Sequence, residues 1–464
     1  MRKVVLLLPL LWASTCAFAR NPEKGASGGV LTLHTCITES LRGNPRLASE
    51  QFTLAAGKEN IWKEKSGFYP QVSGSADFRV YRGSPTGYWA ALGINDPNLT
   101  GVFNITKGGT KNSRSPFRLD WGEVGLGAVT LDYPLYANGS ILGLNTPPAV
   151  AIAKANYNKQ GWVIRLTEQD VIANVVGSFY NSVAYLQKVE LDKQNVELNR
   201  KRLEILEEEL KLNLTLPQYV EIAKEQLAAS QQLLQTSEQR ADASERLLLE
   251  LLGRPGKPSV HLDTSDPLMP TLPAIDGLLN RVSEAHPSVS IQEAIIEEAK
   301  QQYRLAQTEL FPTVKFQTQW EGATAFGPFP IDQYYAGVGV DVPIFDWGHK
   351  LSAEHQALDN YKATQAELEE VRLSLREAVL NQLESIHTTE ANLAELERSY
   401  VAAKSNLELI QNEHDQGISN QLALVDAELN LWQVKDQMVL GRLQLRVEYG
   451  NLQRLTGGVW VWNR

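Results

Sequence analysis

The sequence predicts a mainly α-helical chain with a smaller β component, built from two copies of one helix–two-strand–long-helix–helix unit. Three observations predict it. Landmarks recur at fixed spacing: Asn44-Pro45 and His286-Pro287 stand 242 positions apart, as do Tyr69-Pro70 and Phe311-Pro312. Pro134 in DYPLYANG and Pro343 in DVPIFDWG stand 209 apart, and Asn213 and Gly417, Ala223 and Ala427, and Gly253 and Gly457 keep a spacing of 204. Constant offsets over stretches this long mark an internal repeat. Second, apolar residues recur at helical spacing over runs of roughly 65 residues. Third, short segments of period-two alternation separate those runs. The repeats are expected at 20–265 and 266–464, forming one continuous structural unit. The drops in offset place about 33 extra residues between Pro70 and Pro134 of the first copy, and about five more around Asn145-Thr146-Pro147-Pro148.

A short helix is expected to open at Leu33, and a second to run from Pro45 to about Gly67, where Gly67 and Pro70 stop it. Residues 71–82 and 118–133 read as strands. A long helix begins near Pro147 and continues to about Leu212, roughly 100 Å at 1.5 Å per residue. Asn213 to Pro217 breaks it, and a further helix reaches Leu252. Residues 253–275 are rich in Pro and Gly and link the copies. The second copy follows with helices to about Leu310, strands near 313–321 and 333–342, a helix from about Trp347 to Gln416, and a last helix to about Thr456.

The long helices carry apolar seams of coiled-coil type. One runs Ile386, Leu393, Tyr400, Leu407, with Leu396, Ala403 and Ile410 between. The other runs Ile172, Val176, Phe179, Val183, Leu186 and then Val189, Val196, Leu203, Leu210. In each copy the two shorter helical stretches sum to about one long helix, so they can flank it along its length. On the strands, Val314, Phe316 and Trp320 alternate with Lys315, Gln317 and Gln319, and Ala336, Val338, Val340 and Val342 with Gly337, Gly339 and Asp341. Val72 and Ala76 likewise alternate with Ser73 and Ser75, whereas 118–133 alternates poorly. The pattern suits one face in lipid and one in water, and equally a half-buried soluble sheet. Four strands cannot close a barrel, and an open edge is forbidden in lipid, so membrane strands would require several chains to pool them.

Arg2 and Lys3, an apolar run from Val4 to Trp12, and Ala17-Phe18-Ala19 read as a secretory signal at 1–19. The rival reading is lipidation at Cys16, although Ala13-Ser14-Thr15 before it is a poor match. The net charge of −10 argues against nucleic acid and against charge-driven binding to anionic surfaces by the chain as a whole. Beyond the signal only Cys36 remains, so no internal disulfide forms. No later stretch of eighteen apolar residues predicts a transmembrane helix.

No catalytic, cofactor-binding or metal-binding motif is found: HExxH, GxSxG, P-loop and paired CxxC patterns are all missing from the sequence. The best cluster is Asp346, His349, Glu354 and His355. Its two histidines are six apart, which puts them on opposed faces of a helix, so a solvated helix start is the better reading. An enzyme is not expected.

Together, the NP and YP pairs, the junctions LDYPLYANG and VDVPIFDWG, and the turn HDQGISNQLALVDAELNL resemble the outer-membrane efflux-protein family whose type member is TolC. The resemblance covers nearly the whole chain after the signal. It implies a homotrimer with a shared twelve-stranded barrel in outer-membrane lipid and a long coiled-coil α-barrel across the periplasm. It implies passive conduction of small molecules or exported cargo in tripartite efflux or type I secretion. The implied partners are a periplasmic adaptor and an inner-membrane pump of RND or ABC type. A soluble periplasmic coiled-coil scaffold is the alternative. The turn tips Asn213 and Gly417 become candidate adaptor contacts, although Leu214-Thr215-Leu216-Pro217 departs from the family pattern. The type member carries acidic gate positions six and nine residues after the turn glycine; here they are Ala423 and Asp426. Asp426, beside the seam Leu422, Val425, Leu429 and Trp432, is the candidate gate and selectivity carboxylate, with His414 and Asp415 near the same rim. The insertion at 83–117 has loop chemistry, and is expected as an extracellular loop or, alternatively, a plug in the lumen.

Overall fold

In a computed structural model the described residues are 30–83, 120–254, 261–263, 272, 274–325 and 331–458. The signal at 1–19, Cys16 and nearly all of the 83–117 insertion lie outside them. Helices α1 (Leu33–Gly43) and α2 (Pro45–Ser66) lead into strands β1 (Gln71–Gly83), β2 (Asp120–Ala137) and the two-residue β3 (Ser140–Ile141). Helices α3 (Pro148–Lys211) and α4 (Pro217–Leu251) complete the first series. The second comprises α5 (Ile275–Ala285), α6 (Pro287–Thr308), β4 (Thr313–Ala325), β5 (Ile331–Asp341), α7 (His349–Asp415) and α8 (Gln421–Leu455). Element for element the lengths agree: 11 and 11 residues, 22 and 22, 64 and 67, 35 and 35 for the four helix pairs.

Equivalent positions stop the elements in both copies. Asn138 and Trp347, at equivalent positions, both take left-handed φ (49° and 56°), each followed by a left-handed glycine. Asn213 (56°) answers Gly417 (73°), and Gly253 (72°) answers Gly457 (61°). At each of the latter four positions the next amide reaches back five residues. Leu214 N–H donates to Glu209 O and Ile418 N–H to Glu413 O (both 2.8 Å), Arg254 N–H to Leu249 O (2.9 Å) and Gly458 N–H to Gln453 O (3.2 Å). This left-handed C-terminal motif satisfies carbonyls the helix leaves orphaned. Only Gly, or Asn whose short amide tolerates φ > 0, suits it without strain.

Contacts divide the chain into two compact units, each drawing on both copies: one of 1–42, 175–269 and 396–443, the other of 43–174, 270–395 and 444–464. The second holds the sheet, antiparallel in the order β1-β2-β4-β5, with β3 paired to the end of β2. Its register sorts chemistry by face. Val72, Leu131, Thr318 and Ala336 form one row across the strands, and Gly74, Val129, Trp320 and Tyr334 another. Tyr133, Phe316 and Val338 join the same face. The intervening rows are Gln71, Asp132, Gln317, Gly337 and Ser73, Thr130, Gln319, Tyr335. Strand β2, which alternates poorly as a sequence, thus places Val129, Leu131 and Tyr133 on the apolar face. Among the described residues both outer strands keep a free edge, and Val72, Tyr334, Val338 and Val340 are exposed.

The helical part of this unit is held by Val379, Leu383, Ile386, Tyr449 and Leu452, all buried. The α8 terminus docks against the start of α6: a Cβ on Gly457 would stand 2.4 Å from Pro287 Cδ. His286 caps α6, its Nδ1 accepting from Ser288 N–H at 3.0 Å. Burial pushes the imidazole down to about 4, so it stays neutral.

In the other unit Cys36 is buried. Burial first, and then the Glu39 carboxylate, raise its thiol to about 11, which makes it an inert core residue.

Candidate functional site

The predicted site residues fall in the unit of 1–42, 175–269 and 396–443, which holds the tips of the hairpins α3–α4 and α7–α8. At the first tip Asn213 adopts the turn conformation, and Pro217 restarts the chain at the first helical position of α4, where its missing N–H costs nothing. Leu212, Leu214 and Leu216 are all exposed there. At the second tip Gly417 turns the chain and Asn420 caps α8, its Oδ1 accepting from Ala423 N–H at 2.9 Å. Below the first tip, Leu206, Val220 and Ala223 form a small apolar cluster joined by Leu203, Leu210 and Leu422, so α3, α4 and α8 meet.

Asp426 is on α8, 47% exposed, with Arg202 Nε of α3 at 3.3 Å from its carboxylate. Arg202 also donates from Nη1 to Gln226 Oε1 of α4 at 2.9 Å. The guanidinium thus links three helices beside a polar cavity of about 650 Å³, whose lining includes Asn195, Asn199 and Asn430. His414 and Asp415 lie side by side, 3.8 Å apart. No ion pair or hydrogen bond joins either to Asp426 among the described residues. Near the chain cluster Asp346-His355, Asp346 caps α7 by accepting from Gly348 and Lys350 N–H, both at 3.1 Å.

Sequence reasoning missed Arg202 and the nature of the α3 interface. Past Leu186 the seam Val189, Val196, Leu203 is only half-buried. The buried positions are Lys188, Asp192, Asn195 and Asn199, spaced as one helical face. Opposite, α4 buries Ser230, Ser237 and Ser244, a heptad apart. Lys188 Nζ contacts Asp436 of α8 at 2.5 Å and Asp192 at 3.5 Å, and Ser237 Oγ donates to Asp192. Asn199 donates to Asn195 Oδ1 at 2.8 Å. The signal was present as polar residues at helical spacing, a pattern ordinarily assigned to a solvated face.

Residues 278–458 match the family described as outer membrane efflux protein. No curated protein sequence matches the chain. Solved structures share the fold at low identity. One is CusC, described as a transmembrane channel (15% identity, TM-score 0.71, 92% of each chain covered). Another is the outer membrane protein VceC of Vibrio cholerae (16%, 0.68, 92% of this chain and 96% of that one). A third is the outer membrane channel MtrE of Neisseria gonorrhoeae in its open state (16%, 0.70, 92% and 89%). The fold is that of outer-membrane efflux channels, with helices long enough for the coiled-coil barrel.

Proposed function

We propose that this chain is an outer-membrane exit channel, a homotrimer that conducts cargo passively across the periplasm and outer membrane. One observation carries the reading. The sheet of four main strands has an apolar face, a polar face and, among the described residues, two free edges, with valines and tyrosine exposed on its outer strands. A water-soluble protein blunts such an edge or covers it. Lipid accepts the apolar face but not the unpaired backbone, so the edges must meet other copies. Three chains supply twelve strands, enough to close a barrel around an aqueous lumen lined by the Gln, Ser and Thr rows.

The helical hairpins are read as the periplasmic duct, with Asn213 and Gly417 at its adaptor-facing tips. The exposed Leu212, Leu214 and Leu216 suit an apolar protein contact. The pump behind the adaptor, of RND or ABC type, supplies energy that a passive duct lacks. Asp426 is read as one member of a three-fold ring at the periplasmic constriction, with His414 and Asp415 at the rim. Three carboxylates about an axis favour cations. Arg202, within the same chain, offsets part of that charge and sets how much of it the pore feels.

The test is assembly. Detergent-extracted protein is expected to scatter light as three chains plus micelle and to form channels in planar bilayers. A monodisperse monomer that retains its strands, or a protein that washes free of membranes without detergent, would overturn the reading and favour the soluble scaffold.

A further inference from the structure

We infer that a groove where α2 meets the sheet binds the phosphate headgroup of an anionic phospholipid from the periplasm-facing leaflet. The inference rests on the reading of the strands as membrane-spanning. The groove has a volume of about 440 Å³ and lies between the end of α2 and the segment joining β2 to α3. Its lining includes Lys58, Lys65 and Lys154 and no carboxylate. All three lysines are exposed, and none forms an ion pair among the described residues. Lys65 Nζ stands 5.9 Å from the Trp62 ring centroid, and the Trp62 and Tyr69 rings are 6.2 Å apart. Trp62 is 59% exposed and Leu144 80%.

Each feature has a reason at a membrane surface. Tyr69 is two residues before β1, and Leu144 follows β3, so the groove's upper wall is at the level where the strands begin. Trp and Tyr concentrate at that level because their rings are apolar and their N–H and O–H are polar. Lysines near an anionic leaflet gain by proximity to its phosphates. An unpaired lysine on an acidic chain is available for that role, and three line one groove. The exposed Leu144 gives an acyl chain an apolar contact beside the phosphate site.

The groove's far wall is a feature of the first copy. The short insertion around Asn145–Pro148 builds its far wall, and Gly143, at φ 71°, brings that wall onto Phe68: a Cβ there would stand 3.3 Å from Phe68 Cβ. In the second copy Lys300, Arg304 and Gln307 occupy the positions of Lys58, Trp62 and Lys65. Lys300 there is engaged by Glu297 at 3.5 Å.

The experiment uses the full chain in neutral detergent with phosphatidylglycerol or phosphatidylcholine of matched acyl chains, and native mass spectrometry counts retained lipid. Wild type is expected to retain phosphatidylglycerol at least about tenfold over phosphatidylcholine. Lys58→Gln/Lys65→Gln/Lys154→Gln should lose that preference, Trp62→Ala should weaken retention of both lipids, and Lys300→Gln should leave both unchanged. Equal retention of the two lipids by wild type, or an undiminished preference in the triple variant, would overturn the proposal. Displacement of the lipid by excess inorganic phosphate would show a free-phosphate site instead. Insertion into pure phosphatidylcholine vesicles, scored by flotation, separates the two failures. A protein that inserts but shows no headgroup preference retains its barrel and lacks this site; one that does not insert lacks both.

Discussion

The two helical hairpins have nearly the same lengths and end in the same left-handed turns, yet toward their tips they hold together by different chemistry. Where α3 of the first buries Asp192 and Asn199, α7 of the second has Leu396 and Ala403 at the equivalent positions. Where α4 buries Ser230, α8 has Val434. Toward its tip the second hairpin packs by apolar contact, burying Ala403, Val425 and Leu431; its polar contacts lie far from the tip, where Ser385 and Thr389 of α7 donate to buried Glu448 of α8, both at 3.0 Å. Toward its own tip the first packs through Lys188, Asp192 and Ser237, with Asn195 bonded to Asn199. Apolar contact is non-directional and tolerates small shifts. A hydrogen-bonded buried seam tolerates few, because each misplaced partner leaves a desolvated polar group. Toward the tips the duplicated fold thus keeps one hairpin whose register is specified and one whose packing is adaptable.

Breaking the polar seam should have the largest effect. Lys188→Met leaves Asp192 and Asp436 buried or half-buried without their cation. Removing one partner of a buried pair costs about 3–5 kcal/mol. Chemical denaturation should show that loss, and Lys188→Met/Asp192→Leu/Asp436→Leu should recover much of it, because it replaces the buried charges with apolar contact. Failure of the triple variant to recover would mean that the polar contacts are needed for register and not only for charge balance.

The caps of α2 and α6 extend the comparison. Asn44 Oδ1 accepts from Arg46 and Leu47 N–H, at 2.9 and 3.3 Å, and has no proton to gain. His286 does the same work in the second copy and titrates. Its folded pKa is about 4, below the 6.5 of the free side chain, so the unfolded chain binds more protons between those values. The contribution is complete above pH 6.5 and falls as pH drops toward 4, by about 3 kcal/mol at most. Melting temperature should therefore decline across that window, and His286→Asn should flatten the decline. An equal slope in the variant would assign the acid sensitivity elsewhere.

The turn tips differ less. Gly417→Ala places a Cβ at φ 73° and should cost about 1–2 kcal/mol. Asn213→Gly relieves a left-handed side chain and should be neutral or slightly stabilising. Thermal melts of the two variants against wild type decide whether the tips are equivalent. A destabilised Asn213→Gly would show that the amide side chain itself supports the first turn.

Most of the fold was legible because it is written in periodicity and punctuation. Pro45, Pro217, Asn213 and Gly417 mark helix ends by backbone chemistry that no tertiary contact needs to supply. Strand β2 was obscure because Gly127, Ala128 and Thr130 carry little polarity contrast; its faces become evident only when β1 and β4 fix the register. The site was less legible. Asp426 is recognisable by its distance from Gly417. Arg202 lies far away in sequence, on another helix, and nothing local distinguishes it from the neighbouring Arg200 and Lys201. Lys188 and Asp192 were hidden for a different reason: an i,i+4 ion pair is the ordinary mark of a solvated helix face, and only the third helix, bringing Asp436, makes it an interior one.

Arg202 and Asp426, like Lys188 and Asp436, join the two hairpins by charge, and they should give the smallest stability effect and the most informative functional one. Their side chains are 27% and 47% exposed, and the Nε–carboxylate geometry at 3.3 Å is a contact of charges without an aligned hydrogen bond. Solvent screening leaves such a pair about 0–1 kcal/mol. Asp426→Asn and Arg202→Gln should accordingly both melt close to wild type. Their conductance should diverge if the carboxylate faces the pore as proposed. With a trivalent cation on the periplasmic side of a planar bilayer, Asp426→Asn removes charge from the ring and should need several-fold more blocker. Arg202→Gln removes the guanidinium that offsets the ring and should need less blocker than wild type. Opposite shifts from two variants of equal stability would tie the block to the local field at Asp426. Shifts of the same sign would place the pair in hairpin packing, and unchanged block in both would put the constriction elsewhere in the duct.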